Sequence, residues 1–193
     1  MLEPGCGSGN FLGLAAAGMH FIGVELDGIS GRIARARFPN HDVRIEGFQD
    51  TKLPGEGVDV VIGNVPFADL RLDYQGRKLA LHDYFLAKSV DALKPGGVLA
   101  LVTSHFTLDK RNAVLREHLA ERADFLGAVR LPSDAFARES TRVVTDRVFL
   151  RRREEERTGP SRRPRLAEHP AARHRGDGAY AAADLGPEPL NRG

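Results

Sequence analysis

The stretch Leu2-Glu3-Pro4-Gly5-Cys6-Gly7-Ser8-Gly9-Asn10-Phe11 constrains this chain more than any other. Three glycines at alternate positions let a backbone turn sharply after a strand. They also leave no Cβ where a ligand approaches the main chain. The two common phosphate loops do not fit. The G-x-x-x-x-G-K-[ST] series with its lysine is absent. The G-x-G-x-x-G fingerprint fails because Gly5, Gly7 and Gly9 alternate and Asn10 fills the next slot. An acid ahead of the first glycine, at the carboxyl end of a strand, instead suits a ligand that carries an ammonium group.

The form E-x-G-x-G-x-G is the one S-adenosylmethionine sites use; the alternative is a glycine turn that only joins a strand to a helix. If the loop is a cofactor loop, the strand feeding it is central in a doubly wound sheet and about five residues long. Only Met1 and Leu2 precede Glu3, so the expectation is a truncated first strand. At 193 residues there is room for one domain and a tail. With 41% hydrophobic residues and a net charge of +2, a globular core is affordable. No apolar run approaches the ~20 residues that cross a membrane, and no signal peptide is legible. A single cysteine, Cys6, excludes an internal disulfide and a cysteine metal cluster, so no metal and a reducing, cytoplasmic setting are expected. The cysteine reads as a small loop residue.

Along the chain the expected elements alternate. Residues 9–18 read as a helix with Phe11, Leu12 and Leu14 on its apolar face, and residues 21–25 as a short buried strand ending in acid. Glu25 lies about twenty residues past the first glycine, where an acid commonly accepts ribose hydroxyls; Asp27 is the better candidate to cap the next helix, residues 29–38. Residues 43–46 form a third strand, followed by Gly47-Phe48, whose ring suits either an adenine face or the core. Residues 58–63 form a fourth strand, apolar enough to be buried on both faces.

That strand runs into Asn64-Val65-Pro66-Phe67. An exocyclic amine conjugated to a ring is a poor nucleophile because its lone pair is delocalised. An asparagine side-chain oxygen and a main-chain carbonyl can accept its two N–H bonds, favouring a pyramidal nitrogen whose lone pair points at a methyl sulfonium. Positioning and electrostatics do most of this work, without a strong base or a metal. Proline restricts the residue before it to extended geometry and so aims that carbonyl. The aromatic offers a stacking face. The plainer reading is a strand-ending turn with a buried Phe67.

The ordered series E-P-G-C-G-S-G-N-F, G-V-E-L-D, G-F and G-N-V-P-F resembles the amino-methyltransferases of the adenine-N6 type. It looks closest to the methylase domains of large bacterial methylase–helicase proteins with a Swi/Snf-like helicase. The likeness covers roughly residues 2–150 and implies a Rossmann-like α/β fold of class I S-adenosylmethionine-dependent methyltransferases, mostly parallel with an antiparallel closing strand. It implies S-adenosyl-L-methionine as cofactor, with Glu3 meeting the methionine ammonium. Pro4, Gly5, Cys6, Gly7, Gly9 and Asn10 would line the methionine moiety, Glu25 and Leu26 would flank the ribose, and Phe48 would lie near the adenine. Asn64, Val65, Pro66 and Phe67 would handle the target amine, an adenine N6 in DNA. Two departures stand out. Val65 replaces the first proline of the family's N-P-P-[FY], though its carbonyl and Pro66 remain. Gly47 stands where an acid is often found, with Glu46 and Asp50 nearby.

Residues 68–78 read as a polar loop flanking the target pocket, where Arg71, Arg77 and Lys78 are candidates for phosphate contact. Residues 79–93 form an amphipathic helix closed by Pro95-Gly96-Gly97, with His82 and Tyr84 structural. Residues 98–103 are a fifth strand, 110–122 a helix, and 125–131 and 143–150 a closing strand pair. From Arg151 onward 10 arginines meet 7 acids among Pro, Gly and Ala, leaving residues 1–150 near neutral. Such a segment buries too little surface to offset its ordering entropy, so residues 151–193 are expected to be a disordered tail. DNA is the expected partner, with a helicase or recognition module encoded separately or lost. A protein-glutamine or RNA-base methyltransferase is the alternative within the chemistry. A non-catalytic fragment or subunit of a methylase–helicase defence or antirestriction system is the alternative outside it.

Overall fold

The computed structural model describes residues 1–132 and 144–154 and the backbone of 179–181. Parallel pairing starts at the chain's first apolar residues. Strand β1 (Leu2–Pro4) lies between β2 (Ile22–Glu25) and β4 (Val58–Asn64), with Leu2 opposite Ile22 on one side and Val61 on the other. Helix α1 (Gly28–Arg37) connects β2 to β3 (Asp42–Ile45), and Asp27 caps it by accepting the Ser30 N–H at 2.7 Å. Apolar runs such as Val58-Asp59-Val60-Val61-Ile62 suit strands covered on both faces.

After β4 the chain makes a small hairpin of β5 (Arg71–Tyr74) and β6 (Arg77–Ala80), then helix α2 (Leu81–Asp91) and the long strand β7 (Leu93–Ser104). A one-turn helix α3 (Phe106–Asp109) and helix α4 (Val114–Arg122) lead to β8 (Ala123–Leu131) and β9 (Thr145–Arg152). The sheet order is β3-β2-β1-β4-β7-β9-β8-β10, where β10 is Ala179–Ala181. The strands from β3 to β7 are parallel, and β9 inserts antiparallel between β7 and β8. The strand order reverses between β1 and β4. That switch point, beyond the strands' carboxyl ends, is the usual ligand position in such sheets.

The main core lies under α2, whose Leu86, Ala87 and Val90 are fully buried against Leu99, Leu101, Leu119 and Leu150. Each large apolar side chain buried this way contributes roughly 1.5–3 kcal/mol. A second cluster, Cys6, Leu12, Phe21, Ala34 and Val43, backs the glycine loop.

Three expectations need correction. Residues 9–18 are not an α-helix: only Leu12–Leu14 form a 3-10 turn, with Leu12 buried and Leu14 exposed. Gly9 sits at φ +89°, outside helical space, and Phe38 fills the room beside Gly9 and Gly13. Residues 71–80 are not a loop but a ribbon turned by Gln75-Gly76, both at positive φ, the type I′ requirement. The ribbon is fastened to α2 by Tyr74 Oη donating to Asp91 Oδ2 at 2.7 Å, and it claims Leu79 and Ala80 from the expected helix. The expected helix 110–122 begins at Val114, because α3 and a short linker occupy residues before it. Most of the expected tail lies outside the described residues. Within it, Arg151 and Arg152 continue β9, and Ala179–Ala181 pair antiparallel with Gly127–Val129.

Candidate active site

Glu3 is the middle residue of β1, one before its end, and is 2% exposed. Its Oε2 accepts the Leu12 N–H at 2.9 Å and its Oε1 the Phe11 N–H at 3.4 Å. Burial pushes its carboxyl up to about 7, and these two bonds only partly oppose the shift. The acid expected to face an ammonium therefore also ties the far end of the glycine loop to the strand. The near end is tied to β2: Gly5 and Cys6 N–H donate to the Val24 carbonyl at 2.8 and 3.0 Å. Pro4 and Cys6 are buried and Asn10 is exposed. Burial first, then the charges of Glu3 and Glu25, push the Cys6 thiol up to about 12, so it is a packed neutral residue.

Glu25, at the end of β2, is half-buried and bidentate toward the main chain. Oε2 accepts the Gly7 N–H at 2.8 Å and Oε1 the Asp27 N–H at 2.7 Å. Ribose hydroxyls donating to this carboxylate would compete with Gly7. Leu26 is 74% exposed beside it. Phe48 is 3% exposed, with its ring centroid 5.0 Å from Phe85 and Lys88 Nζ 4.9 Å above it. The ring is packed within the main core cluster.

The glycine loop and the tetrapeptide meet. A Cβ built on Gly5 would lie 3.3 Å from Pro66 Cδ and 3.8 Å from the Asn64 carbonyl oxygen. At Gly7 a Cβ would meet nothing within 4 Å, so the loop's crest faces open space. Asn64 is exposed, Val65 is buried with its N–H donating to the Val102 carbonyl at 3.1 Å, and Phe67 is 39% exposed. A bare main chain at the crest, an acid at each neighbouring strand end and an exposed amide fit S-adenosylmethionine. Among the described residues no group of three His, Cys, Asp or Glu side chains is arranged to hold a metal, and no helix is long and apolar enough to cross a membrane.

Arg71, Arg77 and Lys78 line a cavity of about 580 Å³ between the ribbon, the start of α2, α3 and α4. Of its other polar walls, the sequence singled out only His82, as a structural residue. Asp83, 2% exposed, is ion-paired with Lys110, and His82 Nε2 stands 3.4 Å from Asp83 Oδ1. Burial, then the charges of Arg116 and Arg71, lower Lys110 to about 8. Burial, then Lys110 and His105, lower His82 to about 4, leaving a neutral imidazole at pH 7. Phe106, also on the wall, is 55% exposed.

This sheet order, with a glycine loop after the first strand and an antiparallel closing pair, defines the class I S-adenosylmethionine-dependent methyltransferase fold. Residues 1–175 match the uncharacterised methyltransferase family DUF6094, and the chain belongs to that family. It is 31% identical over 160 residues to the defense against restriction protein B of Escherichia phage P1, covering 78% of this chain and 7% of the phage protein. A Listeria monocytogenes structure assigned to the class I S-adenosylmethionine-dependent methyltransferases superposes with TM-score 0.63 at 20% identity, over 83% of this chain and 55% of that one. The M protein of the type I restriction enzyme EcoKI superposes with TM-score 0.61 at 21% identity, over 78% of this chain and 39% of that one. The chain thus spans a small part of the phage protein and about half or less of the two structures.

Proposed function

We propose that this chain transfers a methyl group from S-adenosylmethionine to the N6 amine of adenine in DNA, within a defence or antirestriction assembly. The observation that supports the reading is the closeness of Gly5 to the Asn64–Pro66 segment, which would set a cofactor loop against an amine-accepting turn. The bound cofactor would supply an electrophilic methyl on a sulfonium. Glu3 would supply negative charge for its ammonium and Glu25 would accept its ribose hydroxyls. The Asn64 side-chain oxygen and the Val65 carbonyl would accept the two target N–H bonds, turning the nitrogen lone pair toward the methyl. Phe67, exposed beside them, would stack on the base, which must leave its duplex to arrive there. The Phe48 ring would back the adenine side from within the core. Residues 1–150, completed by the last residues of β9, would form this domain, with a tail beyond.

The choice of DNA is supported by the similarity to a phage protein of defense against restriction and to a restriction-enzyme M protein. A helicase or recognition module would be the partner of this domain.

Transfer of tritiated methyl to DNA, RNA and protein, followed by nucleoside analysis, tests this reading. N6-methyladenine in DNA is the expected product. Replacing the accepting amide in Asn64→Ala should slow transfer about 100-fold or more while leaving calorimetric cofactor affinity within about twofold. A folded, cofactor-binding chain that methylates glutamine side chains or nothing at all would overturn it. Equal loss of binding and transfer in Asn64→Ala would overturn the role given to Asn64.

A further inference from the structure

The cavity beyond the tetrapeptide has a composition that the methyl-transfer chemistry does not require. Two chain segments connect it with the Asn64–Phe67 turn. The ribbon begins four residues after Phe67 at Arg71 and is closed at its base by the Leu81 N–H donating to the Leu70 carbonyl at 2.9 Å. On the other side, Val102 pairs with Asn64, β7 ends two residues later at Ser104, and Phe106 follows. These two segments link the cavity to the turn where the target amine would sit, although none of Asn64 to Phe67 lines it.

Its walls carry three kinds of group. Cations at the rim are Arg71, Arg77 and Lys78, with Lys110 deeper, four against the two acids Asp83 and Glu117. Arg71 and Lys78 lie on one face of the ribbon, since Arg71 pairs with Ala80 and Asp73 with Lys78. An exposed aromatic, Phe106, has its ring 4.0 Å from that of His105, which is itself fixed by a 3.0 Å contact between Nδ1 and the Val144 carbonyl. At the floor, Asp83 Oδ1 and His82 Nε2 are buried and neither makes a hydrogen bond. They stand 3.4 Å from each other; buried polar atoms without a hydrogen bond are rare, and such a pair on a cavity wall marks where a ligand's polar edge would fit.

We infer that this cavity binds a nucleotide flanking the target base, in a DNA strand locally unpaired from its duplex. Its phosphates would lie against Arg71 and Lys78 and its base would stack on Phe106. An N–H edge of that base would reach Asp83 and His82. A cavity of about 580 Å³ accommodates one nucleotide. A cationic rim with an aromatic platform is the arrangement by which single strands are gripped with little sequence preference. This assignment rests on the nucleic-acid reading above and adds to it a second subsite that would hold the strand while the target base is presented.

The test uses the full chain and a fluorescein-labelled 12-nucleotide DNA strand, with anisotropy titrations over a range of salt concentrations. Phe106→Ala should weaken binding about tenfold or more without changing the salt dependence, because it removes stacking and no charge. Lys78→Gln should weaken binding and reduce the slope of log K against log salt by roughly 0.7, the value for one lost phosphate contact on a single strand. Lys52→Gln, an exposed cation outside the cavity, serves as the matched charge control and should do neither. All three variants should bind S-adenosylmethionine like the parent. If Phe106→Ala and Lys78→Gln behave as Lys52→Gln does while the parent binds and methylates DNA, the subsite is refuted and the methyl-transfer reading stands. A parent chain that binds no DNA overturns both.

Discussion

Replacing Glu3 by glutamine should make the fold more stable at pH 8 and less stable at pH 4. In the folded chain burial raises the Glu3 carboxyl from 4.5 to about 7. Between those values the folded state holds a proton that the unfolded chain has released, so stability falls as pH rises through the window. Above pH 7 the penalty is complete. A shift of about 2.5 pH units corresponds to roughly 3 kcal/mol. Glutamine carries no charge and avoids this penalty. Its oxygen can still accept the Leu12 N–H, but its NH₂ then faces the Phe11 N–H, whose bond to the carboxylate is already long at 3.4 Å. That loss costs about 1 kcal/mol. The variant should therefore gain roughly 2 kcal/mol at pH 8, lose about 1 kcal/mol at pH 4, and cross the parent between. Urea unfolding of both chains at half-unit pH intervals, with no cofactor present, measures the two curves. Parallel curves would show that Glu3 ionises at its ordinary pKa, and the account of its burial would be wrong.

Three other outcomes follow from the geometry. Gly9→Ala would put a Cβ 2.5 Å from the Phe38 ring at a φ of +89°, and thermal melts should show a loss of about 1–3 kcal/mol. Cys6, buried with its thiol held near 12, should resist Ellman's reagent in the native chain and react at once in denaturant; prompt native labelling would contradict its packing. A chain ending at residue 154 should melt close to the parent, whereas one ending at 150 should melt several degrees lower. The shorter chain lacks the Arg153 N–H bond to the Arg122 carbonyl at 3.0 Å and the pairing of Arg153 with Asp124 at 3.1 Å. Equal melts for the two would show that the end of β9 contributes nothing.

Much of the fold was legible in order. The parallel strands announced themselves as short apolar runs ending in polar residues, and β8 and β9 as neighbours with no helical pattern between them. Both halves of the proposed methyl-transfer site could be put forward from the sequence because their chemistry is written in contiguous residues: a glycine loop behind Glu3, and Asn64 to Phe67 at a strand end. The ribbon was missed although Gln75-Gly76 lies between alternating residues, because its charged strands look like a loop when no partner is visible. The expected helix after the glycine loop failed for a tertiary reason. Phe38, far along the chain, occupies the space beside Gly9 and Gly13, and Glu3 captures the amides of Phe11 and Leu12.

The sequence by itself determined the class of chain: the strand-end motifs, their order, and a core large enough for one α/β domain. These are local facts, set by periodicity, glycine freedom and the residue types that a given chemistry needs. Only the tertiary structure decided that the Phe48 ring is core, that Glu25 holds the Gly7 amide, and that Arg71 and Lys78 share a cavity with Asp83 and Phe106. Each depends on groups distant in sequence competing for one space or one hydrogen bond, and that competition is settled only when the sheet brings them together.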